Sequence, residues 1–451
     1  MAGKHPSPER LRQFVAGELP KPESLKLAWH LYNCPACSEK TQSSTEGSEL
    51  MVRLFGGLLA SNPAIEAGYE AAVERGLNLF VERQHDFEQQ RRQAPELWSE
   101  LARHPLARQR VLVQNARRFQ SWALVELLLE RCSDSWFERH EEAEPLAALA
   151  ITVAGTLAPP QYSTGLLHDL VGRCWTYVAN SRRICGELLA AEEAFQTAEH
   201  HLANGSEDPE EWANLLRFKA SLRREQRRLG EAEAMFQEAI RTFRRTGQTH
   251  LAGKTLVSLA NVYSTAGAYD RAITVLQQAI ELIEPDREPA LTLGIKHNLI
   301  DYLAETGRAM EARSLLVKSQ ELYSRYSDPS LKRKLLWLRG KIARGLGQHH
   351  QAESWLVQAR QSFANEGLGF DFALVSLELA ELYVRASRFP EMRQLASEML
   401  PIFKALDIQR ETLAALLLFD EATRKEQVTT ALLQQIASHL RREQRLGREV
   451  G

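Results

Sequence analysis

The stretch Leu256–Leu282, which reads LVSLANVYSTAGAYDRAITVLQQAIEL, contains the clearest structural pattern of the chain. Its apolar residues recur every three or four positions on both sides of Gly267, which predicts two helices joined by a glycine turn. Ala260 in the first helix and Ala272 in the second are small residues, placed where two antiparallel helices would touch. This stretch therefore predicts a helical hairpin.

The second-helix pattern of a small, a large and a small residue returns along the chain at a nearly constant step. The first members of five copies lie 41, 40, 40 and 40 residues apart, and a degenerate sixth copy follows. The copies are Ala191, Phe195, Ala198; Ala232, Phe236, Ala239; Ala272, Leu276, Ala279; Ala312, Leu316, Ser319; Ala352, Leu356, Ala359; and Met392, Ala396, Met399. First-helix positions keep the same step at Ala179, Ala220, Ala260, Ile300, Gly340 and Ala380. Six copies in register predict stacked hairpins, each burying its apolar face against its neighbours.

Composition and charge argue against several classes of protein. The 451 residues contain 56 Lys and Arg against 58 Asp and Glu, and this balance disfavours a non-specific nucleic-acid binder. No apolar run approaches the ~18 residues that a membrane span needs, and the N-terminus lacks the apolar segment of a signal peptide. Five cysteines are too few for a disulfide scaffold, so we expect a cytoplasmic protein.

The N-terminal segment carries the one chemical motif, His5, His30, Cys34 and Cys37 in the spacing H-x24-H-x3-C-x2-C. Two thiolates and two imidazoles suit the tetrahedral geometry of Zn²⁺, and four protein ligands leave no open position, so we expect a structural ion. A segment this short cannot bury enough apolar surface to fold without such a support. Two alternatives remain, a thiol redox pair at Cys34 and Cys37, which lacks the expected strand context, or unrelated surface histidines.

This segment resembles the zinc-containing anti-sigma factor finger, which carries H-x3-C-x2-C after an upstream histidine or cysteine. The resemblance covers residues 1–40 and implies that His5, His30, Cys34 and Cys37 are the zinc ligands. It also implies a small helical head that wraps a sigma factor. The combination of head and hairpins is similar to bacterial proteins that join such a finger to a repeat array.

The hairpins resemble the tetratricopeptide repeat, with a step longer than the usual 34 residues. In that family, first-helix residues line the concave surface. The family register, carried over to this sequence, places there Arg173, Asn180, Arg183, Arg217, Arg224, Lys254, Asn261, His297, Lys334, Trp337, Lys341, Arg344 and Arg385. With the acids Glu225, Asp301, Glu305 and Glu381, the set has nine basic and four acidic residues. This count predicts a basic groove that attracts an acidic protein segment, the alternative being an ordinary solvated helix face.

The sequence thus predicts an all-α protein with a zinc-stapled head and a tetratricopeptide-like α-solenoid. The predicted regions are the finger at residues 1–40, a linker at 41–62, helices at 63–140, the array at 141–410, and capping helices with a tail at 411–451. No catalytic motif is present, so we expect a non-enzymatic regulatory adaptor with a protein partner. The alternative is a transcriptional or signalling component whose finger contacts nucleic acid, although residues 1–40 hold six basic against four acidic residues.

Overall fold

The computed structural model describes residues 6–15, 19, 23, 27, 30, 84–136, 139–159, 161–405, 419, 422–423 and 428–447. It divides the chain into two units, Met1–Gln89 and Gln90–Gly451. Within the described ranges every regular element is a helix, which confirms the all-α prediction. None of these helices is both long and apolar enough to cross a lipid bilayer. The predicted ligands His5, Cys34 and Cys37, the linker at 41–62 and residues 63–83 lie outside the described residues.

In the first unit, the described helix is α1, Pro8–Val15. The Ser7 hydroxyl accepts a hydrogen bond from the backbone N–H of Arg10 at 3.3 Å and so caps the helix. Arg10 also forms a 2.7 Å ion pair with Glu23, and both side chains are exposed.

The helices that precede the repeats lie in the second unit, except for the first residues of α2, which belong to the first unit. They are α2 at residues 84–101, α3 at Leu106–Asn115, α4 at Trp122–Ser135 and α5 at His140–Ala154, with a short 3-10 helix at Arg117–Phe119. Their core includes Leu124, Leu128 and Leu149, which are fully buried.

Six helical hairpins follow in chain order within residues 161–405, as the sequence predicts. Hairpin 1 is α6 (Thr164–Ile184) and α7 (Leu188–Ala203), hairpin 2 is α8 (Pro209–Glu225) and α9 (Leu229–Arg245), and hairpin 3 is α10 (Thr249–Thr265) and α11 (Tyr269–Leu282). Hairpin 4 is α12 (Pro289–Glu305) with a second helix divided into α13 (Ala309–Lys318) and α14 (Gln320–Ser324). Hairpin 5 is α15 (Pro329–Gly345) and α16 (His349–Asn365), and hairpin 6 is α17 (Gly369–Arg385) and α18 (Phe389–Ala405). A C-terminal helix, α19, spans Thr430–Gly447.

Local sequence explains where the hairpins begin and turn. Ser163, Asp208 and Asp328 cap their helices by accepting backbone N–H bonds, and the caps at 208 and 328 are followed by proline. The turn inside each hairpin holds one residue with positive φ, which glycine adopts without steric cost. These residues keep the repeat step and are Gly186, Arg227, Gly267, Gly307, Gly347 and Ser387.

The predicted repeat positions form the core of the array. In five of the six copies all three triplet residues are buried, while in hairpin 4 Leu316 is only partly buried. The first-helix positions Ala179, Ala220, Ala260, Ile300 and Ala380 are likewise buried. At Gly340 an added Cβ would lie 2.6 Å from Leu356 Cδ2, so the close approach of these two helices requires glycine. The packing follows the small and large pattern read from the sequence.

Candidate binding groove

A cavity of about 420 Å³ opens among the first helices of hairpins 2 to 6. We call it the groove. Its wall includes Arg224 from α8, Asn261 from α10, His297 from α12 and Trp337 from α15. The last helix, α19, contributes Arg441 to the same wall. Five consecutive repeats and the C-terminal helix therefore share one site.

The structure brings six of the thirteen predicted groove residues into this wall. They are Arg224, Asn261, His297, Lys334, Trp337 and Lys341, together with the predicted acids Glu225, Asp301 and Glu305. The remaining seven, Arg173, Asn180, Arg183, Arg217, Lys254, Arg344 and Arg385, lie on first helices but outside the cavity lining. The family register therefore predicts the cavity lining well for the central repeats but not for hairpins 1 and 6.

Most predicted cations are held by carboxylates of the neighbouring hairpin. Arg173 Nε donates to Glu211 Oε1 at 2.8 Å, and Lys254 Nζ donates to Glu288 Oε1 at 2.7 Å. Arg183 pairs with Glu225, whose side chain is fully buried. These ion pairs link successive repeats, because each joins residues that are roughly one repeat apart in the chain.

The densest group of charges surrounds Lys341 on α15. Its Nζ donates to Asp301 at 2.6 Å and to Glu305 at 2.8 Å, both on α12. Arg344 donates to Glu381 on α17 at 2.7 Å. Burial alone would lower the pKa of Lys341, but the carboxylates of Asp301 and Glu305 outweigh it and raise that pKa above its ordinary value. Lys341 is therefore a fixed cation inside the protein.

These pairings correct the predicted charge of the groove. The cavity wall contains five basic and four acidic residues, so it is close to neutral and not strongly basic. The sequence count included only carboxylates at the family's groove positions and missed Glu211, Glu288 and Glu378. The spacing contained a signal for two of them, since Glu211 and Glu378 lie on first helices about one repeat after Arg173 and Lys341.

Two asparagines give the groove its free hydrogen-bonding capacity. Asn261 and Asn298 both line the cavity and are partly buried. Within the part of the chain that the structure describes, neither side-chain amide has a hydrogen-bond partner. Each amide offers two N–H donors and one carbonyl acceptor to whatever enters. Asn180, by contrast, is buried and accepts a bond from Arg183 Nε at 3.0 Å.

The aromatic and imidazole groups of the wall are held in place. Trp337 Nε1 donates to Glu378 Oε1 at 3.0 Å, and Lys341 Nζ lies 4.7 Å from the centre of the Trp337 ring. His297 Nδ1 lies 2.9 Å from the Tyr323 hydroxyl. Burial lowers the pKa of His297 to about 4, because the protonated ring would lose its hydration. At neutral pH this wall therefore presents an uncharged imidazole.

Of the predicted zinc ligands, only His30 falls among the described residues, where it lies in a helical segment and is partly buried. The described residues contain no group of three or more His, Cys, Asp or Glu side chains able to hold a metal ion. The structure therefore leaves the zinc prediction open.

The profile of the MalT-like TPR region matches residues 176–441. The chain belongs to this family. The match confirms the predicted tetratricopeptide-like array, and the groove lies inside the matched range. No curated protein matches this MalT-like TPR chain.

Solved structures show the same fold. A Rap protein complexed with Competence and Sporulation Factor shares 12% identity, with 72% of this chain and 88% of that chain covered and a TM-score of 0.51. The apo form of RapI shares 14% identity over 70% and 86% of the two chains, with a TM-score of 0.52. The apo quorum sensor NprR from B. thuringiensis shares 13% over 72% and 96%, with a TM-score of 0.51. At these low identities, the similarity shows that the MalT-like TPR array shares its fold with these proteins.

Proposed function

We propose that the protein is a non-enzymatic regulatory adaptor whose repeat array binds an extended protein segment in the groove. The observation that carries this proposal is the pair of amides, Asn261 and Asn298, in a cavity shared by five repeats. An extended backbone has one N–H and one C=O per residue that need partners, and a carboxamide matches both. The volume of about 420 Å³ lies in the range of sites that enclose a ligand.

We further propose that acidic residues of the segment face the cations on the rim. Arg227 and Lys334 are exposed and line the cavity together with Arg224. Since the wall as a whole is nearly neutral, these charges set the orientation and rate of association more than the affinity. An acidic segment should accordingly bind more slowly as salt is added.

The amides provide the decisive test. Charge reversal at Lys341 or Arg344 would not test the groove alone, because reversing a buried, paired charge would also destabilise the array. Peptides that bind the full chain can be selected from a random displayed library. We expect these peptides to bind the Asn261→Ala/Asn298→Ala variant at least tenfold more weakly than the wild type. Isothermal titration calorimetry measures both affinities. Asn365→Ala, at the exposed end of α16, is the matched control. Equal binding by the double variant would place the peptides elsewhere.

For the N-terminal segment we propose a structural zinc head. The donor set of His5, His30, Cys34 and Cys37 fits one tetrahedral Zn²⁺, and the thiolates would bind it as anions. We expect the purified protein to contain one zinc per chain and Cys34→Ser to lose it, as measured by elemental analysis. Circular dichroism should then change little, because the array does not depend on the ion. Loss of most helicity in Cys34→Ser would contradict a separate head.

The resemblance to the anti-sigma finger suggests the partner of this head. We propose a sigma factor, bound by the head while the array holds a second protein segment. Co-purification of a sigma factor with the wild-type chain, but not with Cys34→Ser, would support this assignment. A salt-dependent shift of DNA by the full chain, lost in Cys34→Ser, would favour nucleic-acid contact in its place.

A further inference from the structure

Arg441, on the C-terminal helix α19, contacts the groove. Arg441 lines the cavity, and its Nη2 donates to Glu305 on α12 at 3.0 Å. The same nitrogen lies 3.8 Å from Glu378 on α17. Arg441 and Glu305 are 136 residues apart in the chain, so this contact closes a loop that spans hairpins 5 and 6. It therefore ties the end of the chain to the middle of the array.

Apolar residues of α19 that the structure describes attach this helix to the core. Leu433, Ile436 and Leu440 are buried in the same core as the residues of α17. Leu440 and Arg441 are consecutive, so one anchors the helix in the core while the other projects to the groove wall. The apolar face alone would hold the helix on α17, and Arg441 adds the connection to α12.

If the Arg441 side chain moved away, Glu305 and Glu378 would each still have a cation nearby. Glu305 keeps its 2.8 Å contact with Lys341, and Glu378 keeps Lys341 at 3.9 Å and Arg344 at 3.8 Å. Removing one partner of a buried pair is costly when a carboxylate is left without any cation, which is not the case here. The contact of Arg441 is thus a connection that can open without unfolding the array.

We propose that Arg441 is a latch, a side chain that extends from α19 to Glu305 in the groove wall and limits access to Asn261 and Asn298. The inference rests on the proposed function, because it assigns regulation to the same groove. A segment entering the groove would compete with Arg441, so its apparent affinity is reduced by the fraction of chains that are latched. Opening the latch is a movement of the Arg441 side chain away from Glu305, while Leu433, Ile436 and Leu440 stay in the core.

The test measures access to the groove without any ligand. In the full chain carrying Asn298→Cys, the rate of N-ethylmaleimide labelling of the introduced thiol is followed by peptide mass spectrometry. The exposed native Cys185 serves as the internal reference. We expect Arg441→Ala to accelerate labelling at position 298 about fivefold or more while labelling of Cys185 stays unchanged. Equal rates at position 298 with and without Arg441 would overturn the latch.

Two further variants separate the latch from a general loosening. Arg441→Lys keeps the charge without the guanidinium fork and should give an intermediate rate. Arg325→Ala removes an exposed ion pair with Glu321 and should change nothing. Hydrogen exchange of Arg441→Ala should stay constant in residues 430–447 and in hairpins 1 to 3, because Leu433, Ile436 and Leu440 keep α19 on α17. Faster exchange throughout the array would also overturn the proposal, since it would show unfolding.

The experiments distinguish a failure of the latch proposal from a failure of the proposed peptide-binding function. If selected peptides bind Arg441→Ala more tightly than wild type and lose binding in Asn261→Ala/Asn298→Ala, both hold. If the asparagine variant binds as well as wild type, the peptide function fails while the labelling rates still decide the latch. If peptides bind the groove but bind Arg441→Ala more weakly, Arg441 is part of the binding surface and the latch is overturned.

Discussion

The two helices of each hairpin use buried residues in different ways. Second helices bury apolar triplets, such as Ala232, Phe236 and Ala239, all with no exposed surface. First helices bury charges as well, among them Lys341 and Glu378. Removing apolar surface from water stabilises a fold directly, whereas a buried ion pair must first overcome the loss of hydration. Both helices therefore contribute apolar surface to the core, but the buried charges that shape what the array can bind lie on the first helices.

The largest effect should come from the second helices. Phe236 fills the space between neighbouring hairpins, so Phe236→Ala leaves a cavity that the surrounding repeats cannot close completely. We expect it to lower the free energy of unfolding by about 3–5 kcal/mol. Urea unfolding followed by circular dichroism measures the loss.

A second-helix position outside the core provides the control for Phe236. Leu189 on α7 is apolar but 84% exposed, so Leu189→Ala should change stability by less than about 0.5 kcal/mol. Similar losses at the two positions would contradict the assignment of stability to the buried triplets.

A smaller effect should appear on the first helices as a dependence on pH. The folded pKa of His297 is about 4, below its ordinary value of 6.5, so the unfolded chain takes up a proton first as the pH falls. This contribution to stability is complete above about pH 6.5 and is lost progressively toward pH 4. After allowance for partial exposure of the ring, we expect a loss of about 2 kcal/mol across this window.

Replacement of the imidazole isolates this contribution. His297→Gln should unfold with a weaker pH dependence between pH 6.5 and 4, whereas His349→Gln, at an exposed position, should behave as wild type. Urea midpoints at four pH values measure the difference. Parallel pH profiles for wild type and His297→Gln would show that the ring titrates normally in the folded protein.

The contrast between the helices also explains what the sequence could predict. Repeat step, triplets and hairpin turns are local patterns, and their positions can be found because one residue pattern recurs at a fixed spacing. Partners such as Glu211 for Arg173 depend on which way two side chains point across neighbouring repeats, which spacing restricts but does not determine. The role of Arg441 could not be predicted, since nothing in the repeats indicates that a helix after them meets Glu305.

The smallest predicted change in stability concerns two helical glycines, Gly340 in a crowded position and Gly294 in an open one. At Gly340 an added Cβ would lie 2.7 Å from Leu356 Cγ, and Leu356 is fully buried and cannot move aside easily. Gly294 has nothing within 4 Å of such a Cβ. Alanine gains about 1 kcal/mol over glycine inside a helix, but overpacking costs about 1–3 kcal/mol. Gly340→Ala should therefore lose about 1 kcal/mol, while Gly294→Ala should gain about 0.5–1 kcal/mol. Urea unfolding measures both, and a gain at Gly340 would mean that α15 and α16 can separate without cost.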